Sequence, residues 1–263
     1  MTPERVGAFA LELHSALRGR RTLPPLTERA PHITIDDAYR ISVATLALRE
    51  QDGERVIGKK IGVTSKVVQD LLGVFEPDFG FLTDRMQVAD GSAVSIAAAG
   101  LIQPRAEGEI AFVLRRDLLG PGVTSADVLA ATEYVAPCFE IVDSRIVDWR
   151  ICIQDTVADN ASSGIFVIGA ARVDPSMLDL AAAPLQMHKN GLPCGSGVGA
   201  AVQGHPATAV AWLANTLGAF GIPFRRGEVI LSGSLTPLVP VEAGDRFEMH
   251  IGGIGSASVS FHP

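Results

Sequence analysis

The feature that most constrains the fold is a change of texture near residue 55. Ahead of it, Val6, Phe9, Ala10, Leu13 and Leu17 recur at helical spacing with polar residues between them, which predicts a first amphipathic helix. After a loop containing Pro24, Pro25 and Pro31, Thr34 stands three residues before Asp37, a capping arrangement that predicts a second helix through Arg49. From Arg55 onward, short apolar stretches are separated by Gly, Pro and Asp, as at residues 88–96, 110–114 and 166–168, and these predict strands.

Two helical interludes are expected within the strand-rich part, at residues 125–134 and 206–220. In the second, Pro206 suits a first helical turn and Gly221 suits the C′ position. The last forty residues return to strands at 229–231, 238–241, 247–251 and 257–261, with turns at Ala243-Gly244-Asp245 and Gly252-Gly253. Strands and helices do not alternate regularly, which disfavours a doubly wound parallel sheet and predicts an α+β fold with a mainly antiparallel core. No repeat or linker divides the chain, so residues 1–263 read as a single catalytic domain. Residues 1–54 form its mainly helical N-terminal region and 55–263 its β-rich core.

Composition narrows the function classes. Hydrophobic residues make up 47% and charged residues 19%, which fits a globular chain rather than a disordered one. No apolar run approaches the roughly eighteen residues of a membrane span. Glu4, Arg5 and Glu12 interrupt the start of the chain where a signal peptide would be apolar, so a cytoplasmic location is expected. A net charge of -7 without a basic stripe argues against nucleic acid. Cys138, Cys152 and Cys194 form no Cys-x-x-Cys and are expected to be reduced, buried thiols.

The chemistry concentrates in acids. In Arg105-Ala106-Glu107-Gly108-Glu109-Ile110, the two glutamates sit two residues apart at the mouth of an apolar run, and a strand places both on one face. Like charges 4 Å apart repel by about 4 kcal/mol at an effective dielectric near 20, so a bound cation is a natural remedy, although a solvated strand face is the ordinary alternative. Glu140 opens another apolar pair and offers a third carboxylate. Three carboxylates suit a hard cation such as Mg²⁺ or Mn²⁺ and leave positions for substrate and water. His14, His32, His188, His205, His250 and His262 show no zinc spacing.

Several segments together resemble the 2-oxopent-4-enoate hydratase and 2-oxo-hexenedioate decarboxylase group of the fumarylacetoacetate hydrolase superfamily. They are Gly58-Lys59-Lys60-Ile61-Gly62-Val63-Thr64-Ser65, Pro77-Asp78-Phe79-Gly80, Glu107-Gly108-Glu109, Glu140 through Asp143 and Arg145, Asp155 through Asp159, Asn160 and Ser163, then Asn190-Gly191, His205-Pro206-Ala207, and Ser232-Gly233-Ser234-Leu235-Thr236. The resemblance implies a mixed β-roll with the N-terminal helices beside it, in a homo-oligomer. It implies that Glu107, Glu109 and Glu140 ligate Mg²⁺ or Mn²⁺ and that Lys60 and Asp78 are catalytic. Ser163 and Thr236 become candidate substrate hydrogen-bonders, with a local backbone hydrogen bond as the ordinary alternative. A positive charge at Lys60 would help bind an anionic substrate, and desolvation would lower its pKa. Lys59 reads as structural, and Asp155, Asp159 and Asn160 as loop or supporting residues.

The implied reaction is hydration of 2-hydroxypenta-2,4-dienoate to 4-hydroxy-2-oxopentanoate, as in meta-cleavage degradation of aromatic compounds. One alternative is decarboxylation of 2-oxo-hex-3-enedioate or hydration of a longer 2-oxo-enoate. A diacid needs a second positive group; residues 233–239 hold no Lys or Arg, which leans towards a short monocarboxylate, although a residue distant in sequence, such as Arg145, could supply the charge. A non-enzymatic alternative is a partner subunit of a companion decarboxylase, and an aldolase is another possible companion. Gly195-Ser196-Gly197-Val198-Gly199 is similar to a dinucleotide loop, but residues 189–194 read as a turn rather than the strand such a loop requires.

Overall fold

In a computed structural model, which describes residues 1–65, 69 and 74–263, two sheets and a group of helices build the protein. The N-terminal helices are α1 (Pro3–Gly19), α2 (Leu26–Arg29) and α3 (Ile35–Gln51). The predicted Thr34–Asp37 capping box is present: the Asp37 amide donates to Thr34 Oγ1 at 3.1 Å and the Thr34 amide to Asp37 Oδ2 at 3.3 Å. Val6, Phe9, Ala10 and Leu13 of α1 and Ala38 and Ile41 of α3 bury one face each, together with Ile153, Val157 and Ala158.

The larger sheet contains β1 (Val56–Gly62), β2 (Asp78–Thr83), β3 (Gln87–Ala89), β5 (Arg105–Leu114), β6 (Thr132–Val142), β7 (Ser163–Ile168), β10 (Val229–Ser234) and β11 (Val239–Pro240). Its order is β2-β1-β10-β5-β6-β7-β3, with β11 also on β5. The pairs β1–β10 and β3–β7 are parallel, while β5 with β6, β6 with β7, β10 with β5 and β1 with β2 are antiparallel. The smaller sheet runs β4-β13-β12-β8-β9, from β4 (Ala93–Ser95), β13 (Gly255–His262), β12 (Arg246–Ile251), β8 (Pro184–Lys189) and β9 (Leu192–Val198). The α+β class with a mixed, mainly antiparallel and curled sheet is therefore the observed one.

The alternation of β5 explains how this curl carries both a core and a site. Ala106, Ile110, Phe112 and Leu114 face the main core, with Phe139, Ile141, Ile230, Phe247 and Met249. The opposite face carries Ala111 and Val113 into a small inner cluster with Leu82, Cys138, Phe166, Val229 and Leu231. Glu107 and Glu109 continue that inner face by period two.

Among the described residues, three further α-helices are α4 (Ser125–Ala131), α5 (Ile153–Ala158) and α6 (Pro206–Gly218). The interlude expected at 125–134 ends earlier, because Thr132 turns extended and opens β6, pairing with Leu114, so Tyr134 is a strand residue. Gly221 does take the C′ role: its amide donates to Gly218 O at 2.9 Å, the Ile222 amide to Leu217 O at 3.0 Å, and its φ is 70°. The segment similar to a dinucleotide loop is β9, an edge strand hairpinned to β8 through Asn190-Gly191. The thiols need correction too. Cys138 is buried, but Cys194 is only half-buried and Cys152 exposed, because it precedes α5 at its solvent-facing end.

Candidate metal centre and active site

Strand register brings the three acids together. On the β5–β6 ladder Glu107 stands opposite Glu140, and Glu109 opposite Cys138. One carboxylate oxygen from each of Glu107, Glu109 and Glu140 lies within 4.8 Å of the others. At that separation each ionised pair repels by roughly 3 kcal/mol at an effective dielectric of 20. Glu109 and Glu140 are only 1% exposed, whereas Glu107 keeps part of its surface open.

The two predicted catalytic residues come from β1 and β2, which lie beyond β10 in the same sheet. Lys60 on β1 pairs with Gly80 of β2 and Leu231 of β10, and Asp78 pairs with Gly62. The Lys60 ammonium stands 3.2 Å from Glu140 Oε1. A Cβ at Gly62 would collide with Asp78 Oδ1 and lie 3.5 Å from Lys60 Nζ, so both groups crowd around a position that has no side chain.

Polar bookkeeping identifies what this constellation lacks. Among the described residues, Glu109 Oε1, Glu140 Oε2 and Asp78 Oδ1 are buried without a hydrogen-bond partner, and Glu140 Oε1 has only the Lys60 ammonium at 3.2 Å. Buried carboxylate oxygens are seldom left so, and hard oxygen ligands converging within a few ångströms fit a divalent cation. The electrostatics agree. Burial, and after it the Glu140 carboxylate, pushes Glu107 up to about 8. Burial, Glu140 and Glu107 push Glu109 well above the ordinary carboxylate range. Burial also raises Asp78, against the pull of Lys60.

Lys60 departs from the expected direction. Burial lowers its pKa, but Glu140, Asp78, Glu107 and Glu109 outweigh burial and hold the ammonium above its usual range. A lysine facing four carboxylates stays charged. Lys59 behaves as a structural residue, paired with Glu228 and lying 5.3 Å over the Phe224 ring.

Both candidate substrate hydroxyls are engaged with backbone. Ser163 donates to Asn160 O at 2.8 Å, and Thr236 Oγ1 accepts from the Gly108 amide at 3.0 Å. Sequence reasoning missed three supports. The Gly233 amide donates to Glu109 Oε2 at 2.8 Å, and Ser234, whose hydroxyl donates to Thr236 O at 2.7 Å, draws the Glu107 pKa down. Gly233 sits at φ 110°, where a Cβ would meet Thr64 Oγ1 at 2.5 Å. Tyr39 of α3 stacks on Phe79 at 4.3 Å, and burial followed by the Asp78 carboxylate pushes its phenol upward. No sequence signal tied these residues to the acids, although Gly233 and Ser234 belong to a quoted segment.

Arg145 is engaged elsewhere. Its guanidinium donates to Asp159 Oδ1 at 2.6 Å, Asp159 O at 2.8 Å and Ser163 O at 3.0 Å. Asp155 accepts from the Thr27 and Cys152 amides and so ties α5 to α2. Asn160, Ala161 and Ser162 form a left-handed turn, with φ of 54°, 50° and 52°. Each such residue costs about 1–2 kcal/mol when it is not glycine, so the surroundings must over-determine this turn.

Comparison with known proteins follows the same lines. A 2-hydroxyhexa-2,4-dienoate hydratase of Comamonas testosteroni is 72% identical over 249 residues, covering 95% of this chain and 94% of that protein. A 2-hydroxypent-2,4-dienoate hydratase of Pseudomonas putida is 60% identical over 211 residues, covering 80% and 95%. The solved structure of 4-oxalocrotonate decarboxylase from Pseudomonas putida G7, complexed with magnesium and adipate, superposes with a TM-score of 0.95 at 37% identity over 99% of this chain and 98% of that one. Residues 57–261 match the fumarylacetoacetate (FAA) hydrolase C-terminal family, and the chain belongs to that family.

Proposed function

We propose that the chain is a divalent-metal-dependent hydro-lyase that hydrates 2-hydroxypenta-2,4-dienoate, or its six-carbon homologue, to the corresponding 4-hydroxy-2-oxo acid. The observation that carries this reading is the buried convergence of Glu107, Glu109 and Glu140 beside Lys60 and Asp78. Hydratases at 72% and 60% identity support the substrate class. The whole chain, 1–263, acts as one catalytic unit in which the 1–54 region packs beside the 55–263 core.

Glu107, Glu109 and Glu140 would hold Mg²⁺ or Mn²⁺, which supplies Lewis-acid withdrawal of electrons from the 2-oxo acid. Three glutamates, one divalent cation and Lys60 sum to zero, so a neutral pocket receives the anionic substrate. Lys60, held charged, stabilises negative charge that develops on the substrate oxygen. Asp78, with Oδ1 unpartnered and its pKa raised, holds and moves the proton. In the first step the 2-hydroxyl loses its proton and C5 gains one, giving the 2-oxo-3-enoate. In the second, water oxygen bonds to C4 and a proton goes to C3. Ser163 and Thr236 orient the substrate at the rim, adding to their backbone bonds.

A diacid substrate is disfavoured because Arg145 is buried and held by Asp159 and Ser163. Free cysteines support a reducing cytoplasm. The uncharged edge strand β9, with Leu192 and Val198 exposed, supports a homo-oligomer.

The test is incubation of purified protein with freshly generated 2-hydroxypenta-2,4-dienoate and its six-carbon homologue, with Mg²⁺ or Mn²⁺ and then with chelator. Metal-dependent loss of dienoate absorbance with formation of the 4-hydroxy-2-oxo acid is expected. Carbon dioxide release from 2-oxo-hex-3-enedioate without dienoate hydration would instead make the protein a decarboxylase.

A further inference from the structure

At the β2 edge of the curled sheet, one side chain stands where a strand partner would pair. β2 is an edge strand, so among the described residues the backbone groups on its outer side lack a strand partner. At Phe81 the Asn160 carboxamide takes that place: the Phe81 amide donates to Asn160 Oδ1 at 2.8 Å, and Asn160 Nδ2 donates to Phe81 O at 2.9 Å. Asn160 lies three residues before the start of β7, so its side chain ties the β2 edge to the strand beside Glu140.

The backbone of the turn reaches the same strand. A Cβ at Gly80 would meet Asn160 O at 2.5 Å and Ser163 Oγ at 3.0 Å, so the turn seats directly on the bare backbone between Asp78 and Phe81. Arg145 holds both ends of the turn from beneath, through Asp159 and the Ser163 carbonyl, and its own amide donates to Asp159 Oδ2 at 2.8 Å. Arg145 itself follows Glu140 by five residues at the end of β6. A left-handed run of three non-glycine residues is therefore kept where it connects the strand bearing a metal-ligand candidate to the strand bearing Asp78.

We propose that Asn160 is a positioning residue, whose carboxamide fixes the β2 edge and thereby sets Asp78 and Ser163 at their working distance from the Glu107–Glu109–Glu140 cluster. The inference rests on the hydratase reading for its kinetic consequence, and on the hydrogen bonds alone for its structural one. Glycine is at home at positive φ, so Asn160→Gly keeps or relaxes the turn while deleting only the carboxamide.

The experiment compares the full-length wild type with Asn160→Gly and Asn160→Asp by hydrogen exchange, metal titration and steady-state kinetics. Aspartate can accept from the Phe81 amide but cannot donate to Phe81 O. We expect faster exchange at the Phe81 amide in Asn160→Gly, a kcat at least tenfold lower, and KM and Mg²⁺ affinity within about threefold of wild type. Asn160→Asp should recover part of the amide protection. A general folding defect would instead lower the melting temperature and the metal affinity together. Unchanged exchange at Phe81 in Asn160→Gly, or faster exchange with undiminished kcat, overturns the proposal. If the wild type fails to hydrate the dienoates, the hydratase reading fails by itself, and the exchange measurement, which needs no substrate, still decides whether Asn160 clamps β2.

Discussion

Removing the metal should make this fold less stable as pH rises. In the metal-free site Glu107 is pushed up to about 8, from an ordinary 4.5, by burial and by Glu140. Below 4.5 both native and unfolded chains hold that proton. Between 4.5 and 8 the native protein still holds it while the unfolded chain has lost it, so stability falls with rising pH until the folded group also ionises. The difference of 3.5 units corresponds to at most about 5 kcal/mol. Burial raises Glu109 and Asp78 in the same sense, and Asp159 is pushed up to about 6 by burial against the pull of Arg145. The opposing case, Asp37 held at about 2, acts only below pH 4. The three units between pH 5 and 8 carry at most about 4 kcal/mol of the Glu107 share, which at about 2–4 °C per kcal/mol is a drop of up to roughly 8–16 °C in melting temperature. Thermal melts with chelator at four pH values in that interval would measure it. Saturating Mg²⁺ or Mn²⁺, which binds the deprotonated carboxylates, should flatten the slope and add about 2.7 kcal/mol at one hundred times the dissociation constant. A chelated protein whose melting temperature is level or rises from pH 5 to 8 would refute the reasoning.

Two substitutions separate the parts of the site. Lys60→Met removes the ammonium that faces Glu140 at 3.2 Å, and should lower kcat at least a hundredfold while leaving a folded, metal-binding protein; full turnover in the variant would eliminate the charged lysine from the mechanism. Gly233→Ala forces a Cβ against Thr64 and displaces the amide that anchors Glu109 Oε2. Mg²⁺ affinity measured by calorimetry should fall by about 10–100-fold, the usual cost of losing a support to a metal ligand.

Local chemistry made much of this architecture legible in advance. Helical spacing in α1, the Thr34–Asp37 capping box and the Gly221 cap are short-range signals, and all three appear as read. The placement of Glu107 and Glu109 on one face follows from strand geometry alone. The third acid depends on β6 pairing with β5 in a register that sets Glu140 opposite Glu107, and no local pattern encodes that register. The helix expected to reach residue 134 stops at Ala131 because Thr132 and Tyr134 serve a long strand whose partners, Leu114 and Val113, lie far back in the sequence. The direction of the Lys60 shift needed the count of carboxylates around it, which only the folded site supplies. Asn160 was visible as a polar residue in a quoted segment, but its role depends on the edge of a strand about eighty residues earlier.

The most direct measurement is a titration of metal-stripped protein with Mn²⁺, following dienoate hydration and bound metal together. Activity should be absent at the start, rise in step with occupancy, and saturate at one ion per chain, with Glu109→Gln shifting the curve to at least tenfold higher Mn²⁺. Hydration that persists in the stripped protein, or that tracks an ion bound away from Glu107, Glu109 and Glu140, would contradict the account.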